Sequence, residues 1–232
     1  MNEALREAIM NREITRLCHF TPSRNLVHIA TDPRGILATK LLKDDERAIY
    51  NPTDLARYDR QPGHVCCSIQ YPNAWYFRKA RADERIFTDW VVLLLSPDCM
   101  LRQDVKFCTR NAAAGGGQYL AEGINAFNGM FAENVSGSKS RIYTRSPRHL
   151  SNVPTDQQAE VMIPDSIDLS DVIGLAVCDA SQARREFARL TTLNAKVPAI
   201  YIIPEFFDPQ SLNVLIRSGR LPVEHLFEGG VS

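Results

Sequence analysis

The chain has 232 residues, of which 44% are hydrophobic and 23% charged, a composition that excludes a disordered or collagen-like polymer. Its 27 Lys and Arg balance its 27 Asp and Glu, which excludes indiscriminate clinging to nucleic acid or anionic membrane and confines any polyanion site to a local patch. At roughly 100–200 residues per domain the length predicts one domain over residues 1–232.

The amino terminus, residues 1–12, carries charges among short apolar stretches only. Residues 14–20 (ITRLCHF) alternate apolar and polar side chains as a half-buried strand does, and Pro22-Ser23 then opens a helical segment with Leu26, Ile29 and Ala30 on one face. Residues 64–69 (HVCCSI) predict a second strand, followed by the Pro72-Asn73 turn and a helix over 74–82. Residues 89–95 (DWVVLLL) predict a buried strand ended by Ser96-Pro97-Asp98. That run falls far short of the roughly 20 residues that span a bilayer, so no membrane partner is expected and the chain reads as cytoplasmic.

Gly115-Gly116-Gly117 lacks the flanking residues of a phosphate loop and predicts a flexible turn before a helical stretch over 118–131. Residues 134–152 show no periodicity and predict a long loop. Strands are expected over 159–163, 172–177 and 199–203, with helices over 183–192 and 211–217. The alternation is an α+β pattern. The six cysteines form no CxxC pair and sit mostly in apolar runs, as reduced core thiols do, and the five histidines form no HExxH, so neither a disulfide framework nor a metal is expected.

Two features carry chemistry. Residues 136–150 (SGSKSRIYTRSPRHL) hold Lys139, Arg141, Arg145 and Arg148 with Tyr143 and His149 between them and no acid. Cations interleaved with rings suit a polyanion whose bases stack, and a solvated loop is the plain alternative. Downstream, Glu160 opens an apolar strand-like stretch, the position of a solvent-facing residue or of a carboxylate aimed into a site.

Three separated pieces together resemble the DarT family of DNA-base ADP-ribosyltransferase toxins. They are Cys18-His19-Phe20-Thr21 with Asn25-Leu26 and Gly35-Ile36-Leu37; Arg57-Tyr58-Asp59 before Val65-Cys66-Cys67-Ser68-Ile69 and Pro72-Asn73; and Gln158-Ala159-Glu160-Val161. Asn111-Ala112-Ala113 and Met130-Phe131 are similar as well, so the likeness runs over residues 14–178.

The resemblance implies an α+β, ADP-ribosyltransferase-like fold in which two small bent β-sheets, flanked by short helices, form a cleft for NAD, which is consumed as substrate without a metal. It implies transfer of ADP-ribose onto a base of single-stranded DNA, thymidine foremost, by a toxin held in check by a macrodomain-type antitoxin; the chain is expected to be a monomer. Position by position, Glu160 and Arg57 would be catalytic. His19, Phe20, Thr21, Asn25, Gly35, Leu37 and Arg57 would bind NAD, and Arg141, Tyr143, Arg145, Arg148 and His149 the nucleic acid.

The chemistry of the residues agrees. Cleaving the bond between ribose and a cationic leaving group builds positive charge on the ribose and needs no general acid, so one carboxylate suffices where glycosidases use two. A permanently charged planar arginine suits phosphate and a base about to lose its ring proton.

Two departures bear on the acceptor. Pro22 stands where thymidine-modifying members carry a histidine, and residues 65–69 read VCCSI in place of a YVPFYF-like run. RNA, or guanine or adenine, therefore stands beside thymidine, as do transfer onto a protein side chain and a non-catalytic nucleic-acid-binding module of the same fold. Arg60 is the alternative to Arg57.

Overall fold

The computed structural model describes residues 2–42, 58–84, 86–137 and 141–229. Thirteen strands and six α-helices occur among these. The helices are α1 (Asn2–Asn11), α2 (Asn25–Thr31), α3 (Ala74–Asp83), α4 (Gly123–Gly129), α5 (Ala180–Thr192) and α6 (Pro209–Ser218). The strands are β1 (Leu17–Pro22), β2 (Ile36–Leu37), β3 (His64–Ile69), β4 (Trp90–Leu95), β5 (Lys106–Cys108), β6 (Ala121–Glu122), β7 (Asn134–Ser136), β8 (Ile142–Thr144), β9 (Glu160–Pro164), β10 (Ser166–Ile167), β11 (Val172–Val177), β12 (Ile200–Ile202) and β13 (His225–Leu226).

Nine strands connect in the order β13-β12-β11-β4-β1-β3-β9-β5-β6, and two further pairs, β2–β10 and β7–β8, stand apart. All pairings are antiparallel except β11–β12, whose parallel connection is made through α5 as such crossovers require. Strand β4 lies near the middle with all six residues buried, because both faces of the sheet are covered. Val91, Leu93 and Leu95 join the core beneath α1, α2 and α4, whereas Trp90, Val92 and Leu94 join the core beneath α3 and α6. Continuous apolar sequence is the signature of such a strand.

Strand β3 changes partners along its length. His64, Val65, Cys66 and Cys67 pair with β9, and Ser68 and Ile69 pair with β1. Beyond Cys18, β1 follows β4 alone through Pro22. The nine strands thus form two sheets sharing β3, and the expected pair of sheets facing a cleft is present as a fork that opens at the Cys67–Ser68 step.

The helix expected over 118–131 shrinks to α4, because Ala121 and Glu122 pair with β5 and Gly123 takes φ +82°. Within 134–152 a short hairpin, β7–β8, replaces the expected featureless loop. Three-residue strands are too short to show alternation. Helix α1 escaped the sequence reading because it buries little more than Leu5 and Ile9, one turn apart. Among the described residues no helix is long and apolar enough to cross a membrane.

Candidate active site

The fork between β1 and β3 opens into a cleft lined by His19, Phe20, Thr21, Asn25, Leu37 and Glu160 among others. Each lining element is held from behind. Phe20 stacks on Phe77 of α3 with ring centroids 4.6 Å apart. The turn after β1 is gripped by α5, where Arg189 Nη1 donates to Ser23 O at 2.8 Å and Gln182 Nε2 donates to Ser23 Oγ at 3.3 Å.

His19 bridges the fork. Its Nδ1 lies 2.9 Å from the carbonyl oxygen of Cys66, an acceptor, so Nδ1 carries a proton. Among the described residues, two asparagines of the cleft each keep one buried polar atom without a hydrogen-bond partner. Asn25 donates through Nδ2 to Thr21 Oγ1 at 2.9 Å and leaves its Oδ1 unsatisfied, and Asn73 caps α3 by accepting from Tyr76 N at 3.1 Å and leaves its Nδ2 unsatisfied. An acceptor and a donor desolvated in one cleft cost free energy unless a ligand completes them.

Glu160 stands at the start of β9, one residue past Val161, the last β9 residue paired with β3. It is buried, with its two oxygens held by the loop after β5. Ala112 N donates to Oε2 at 2.7 Å and Asn111 Nδ2 donates to Oε1 at 3.3 Å. Asn111 is fixed in turn, its Oδ1 accepting from Ala113 N at 3.1 Å. Asn73, Asn111 and Ala112 were not assigned roles from sequence, and the signals were there: a helix-capping asparagine after a strand, and small residues that leave a backbone N–H accessible.

Other expected residues fall elsewhere. Gly35 has φ +73°, and an added Cβ would lie 2.2 Å from Ile167 O, so it permits the close approach of β2 to β10, and it is not among the residues lining the cleft. Arg57 and Lys139 lie outside the described residues. Asp59, of the same sequence motif as Arg57, is buried at the cleft and accepts from Gln61 N at 2.7 Å. Arg60 is exposed with φ +58°.

In the basic segment Arg141 and Arg148 are exposed and Tyr143 is half-buried. Arg145 turns inward instead, donating to Leu150 O, Val153 O and Thr155 Oγ1 at 2.7, 2.9 and 3.1 Å. Its guanidinium pKa is lowered by burial and by the neighbouring Arg12. His149 is buried, with Nε2 3.2 Å from Pro154 O, and its pKa falls to about 4 through burial and then the nearby Arg145. These two tie the segment from inside to the carbonyls of Leu150, Val153 and Pro154.

A family model described as ssDNA thymidine ADP-ribosyltransferase, DarT, matches residues 18–208. The fold is similar to that of Thermosipho africanus DarTG in complex with ADP-ribose, with TM-score 0.57 and 14% identity over 83% of this chain and 51% of that one. It is also similar to Thermus sp. 2.9 DarT in complex with ADP-ribosylated ssDNA, with TM-score 0.55 and 13% identity over 84% of this chain and 97% of that one. The same Thermus protein in complex with NAD+ gives TM-score 0.55 and 12% identity, with 84% and 98% covered. The chain therefore spans about half the length of the Thermosipho structure and nearly all of the Thermus one. No curated protein sequence matches it.

Proposed function

The chain belongs to the DarT family, the ssDNA thymidine ADP-ribosyltransferases, and on that premise we propose that its cleft binds NAD and that Glu160 directs transfer of ADP-ribose onto a thymine of single-stranded DNA. The observation that carries the reading is the seat of Glu160 at the fork, a carboxylate gripped by two donors in a cleft with an unsatisfied Asn25 Oδ1 and Asn73 Nδ2. Thermus sp. 2.9 DarT is seen with NAD+ and with ADP-ribosylated ssDNA, which supports both substrates.

NAD supplies a ribosyl group whose leaving group departs neutral, so the chain needs no general acid. The bond from the ribose carbon to the nicotinamide nitrogen breaks with its electron pair going to nicotinamide; a ring nitrogen of the base bonds to that carbon and its proton passes to solvent. Glu160 faces the ribose and stabilises the positive charge that grows on it, an effect strengthened by burial and by the fixed carboxylate orientation. His19 accepts a ribose hydroxyl through Nε2, with Phe20 and Thr21 lining the same wall and Asn25 and Asn73 offering an acceptor and a donor to the carboxamide. Leu37 closes the opposite side. Arg57 contacts phosphate and the acceptor base, and Arg141, Tyr143 and Arg148 guide the strand.

The reading extends to a single domain acting as a cytoplasmic monomer, and to a macrodomain-type antitoxin as partner, for which the likeness to Thermosipho africanus DarTG is the support. The deciding experiment incubates the protein with NAD and mixed-sequence single-stranded DNA or RNA. Nicotinamide release with a one-ADP-ribose mass gain on thymidine is expected. A gain on RNA or on another nucleoside replaces the acceptor, and no gain on any polynucleotide overturns the reading.

A further inference from the structure

Beside the loop that grips Glu160 lies a cation–aromatic surface with no task yet. Arg110 immediately precedes Asn111, and its Cζ lies 3.9 Å from the centroid of the Tyr119 ring. Tyr119 is 42% exposed despite that cover, so the stack blankets only part of the ring. Arg110 Nη1 donates to Gly137 O at 3.1 Å, tying the stack to the end of β7, while its Nε is buried without a partner.

The glycine turn explains how the pieces meet. Gly115, Gly116 and Gly117 all have positive φ. A Cβ on Gly115 would lie 2.9 Å from Tyr119 Cε2, and one on Gly117 would lie 2.2 Å from Asp59 O. The corresponding point on Gly116 is 3.5 Å from Arg60 Nε. The turn thus packs against the Tyr119 ring at Gly115 and against the Asp59 carbonyl at Gly117, with the Arg60 side chain beside Gly116. On the far side of Gly137, the Tyr143 ring packs so closely that a Cβ there would lie 2.1 Å from its Cε2, so the surface runs on to the hairpin.

An arginine stacked on a half-exposed tyrosine offers a rigid π face beside positive charge, the pairing that holds unpaired bases irrespective of sequence. We propose that the Arg110–Tyr119 stack is a platform on which a base flanking the acceptor nucleotide of single-stranded DNA stacks. The inference rests on the function proposed above and adds where the strand lies: over the residues next to those that hold Glu160, so that stacking the neighbour delivers the acceptor base to the carboxylate.

The test combines variants with oligonucleotides carrying one abasic residue at successive positions around the acceptor. For the wild-type protein, one flanking position is expected to raise the oligonucleotide KM about tenfold when its base is missing, the size expected of one lost stack. Tyr119→Ala should raise the KM of the intact strand by a similar factor and erase the extra penalty at that position, and Tyr119→Phe should restore both. Tyr119→Leu fills the volume without a π face and should behave as the alanine variant, and the KM for NAD measured alongside reports on the cleft. If Tyr119→Ala leaves the oligonucleotide KM within about twofold, or if every abasic penalty survives in it, the platform is overturned while the function stands. A wild-type protein that modifies no single-stranded DNA overturns the function, and this inference with it.

Discussion

The backbone N–H of Ala112 points at Oε2 of Glu160 from 2.7 Å, and the Asn111 amide faces the other oxygen at 3.3 Å. Both partners are donors, and the Asn111 amide is locked by its bond from Ala113 N. A glutamine at position 160 must therefore turn its own NH2 group against one of them, so the loop selects for a carboxylate and not merely for size. Glu160→Gln is expected to retain NAD binding and to lose at least about 100-fold in transfer, the scale of one lost transition-state contact. Nicotinamide release at saturating NAD, set beside an equilibrium NAD titration, measures the two. Unchanged turnover removes Glu160 from the mechanism.

Much of this site was legible in the sequence because it rides on regular strands. Strand β3 and strand β11 have the boundaries expected from sequence, and β4 declares itself by being buried on both faces. Glu160 could be placed at a strand edge, but its two donors come from a loop 48 and 49 residues away in sequence, and no local pattern encodes such a pairing. The basic segment misled for a related reason. A run of arginines looks uniform in sequence, yet Arg145 faces carbonyls and Arg148 faces solvent, a distinction set by the β7–β8 hairpin and by the docking of Leu150 N on Ile216 O at the end of α6.

That distinction predicts opposite phenotypes for neighbouring arginines. Arg145→Ala removes three hydrogen bonds from a charged donor, to Leu150 O, Val153 O and Thr155 Oγ1, a loss of about 2–4 kcal/mol that lowers Tm by several degrees or more. Arg148→Ala leaves Tm within about a degree, as surface changes do, and raises the KM for oligonucleotide with a shallower salt dependence. Thermal melts and KM against salt separate them. Equal melts for the two variants contradict the inward role of Arg145.

His149 and Asp156 make opposed contributions to stability between pH 4 and pH 6. The pKa of His149 falls from its ordinary 6.5 to about 4, through burial first and Arg145 second. Over that interval the unfolded chain binds a proton the folded chain refuses, so this contribution is complete above 6.5 and is lost as pH falls. Burial pushes the Asp156 carboxyl up from 3.8 to about 6. Here the folded chain keeps the proton, and the contribution is complete below 3.8 and lost as pH rises. Asp156→Asn therefore makes Tm fall more steeply than wild type as pH drops from 6.5 to 4, whereas His149→Gln makes Tm fall, relative to wild type, as pH climbs from 4 to 6. Parallel melting curves for all three proteins across this range refute the opposition.

His19 does two jobs with two nitrogens, and they are separable. Nδ1 donates across the fork to Cys66 O at 2.9 Å, where β1 and β3 no longer pair, and Nε2 is the acceptor assigned to the ribose. An asparagine places its side-chain NH2 near the position of Nδ1 and has nothing at Nε2. His19→Asn should then keep the fork closed to the same width, with Tm near wild type, while the KM for NAD rises about tenfold, as for one lost hydrogen bond of a buried site. His19→Ala should show the same NAD defect and in addition a lower Tm, because Cys66 O loses its donor. Melting curves with and without NAD, together with nicotinamide-release kinetics, give both quantities. An asparagine variant as unstable as the alanine one would mean that the ring, and not its Nδ1 proton, holds the two strands at their distance.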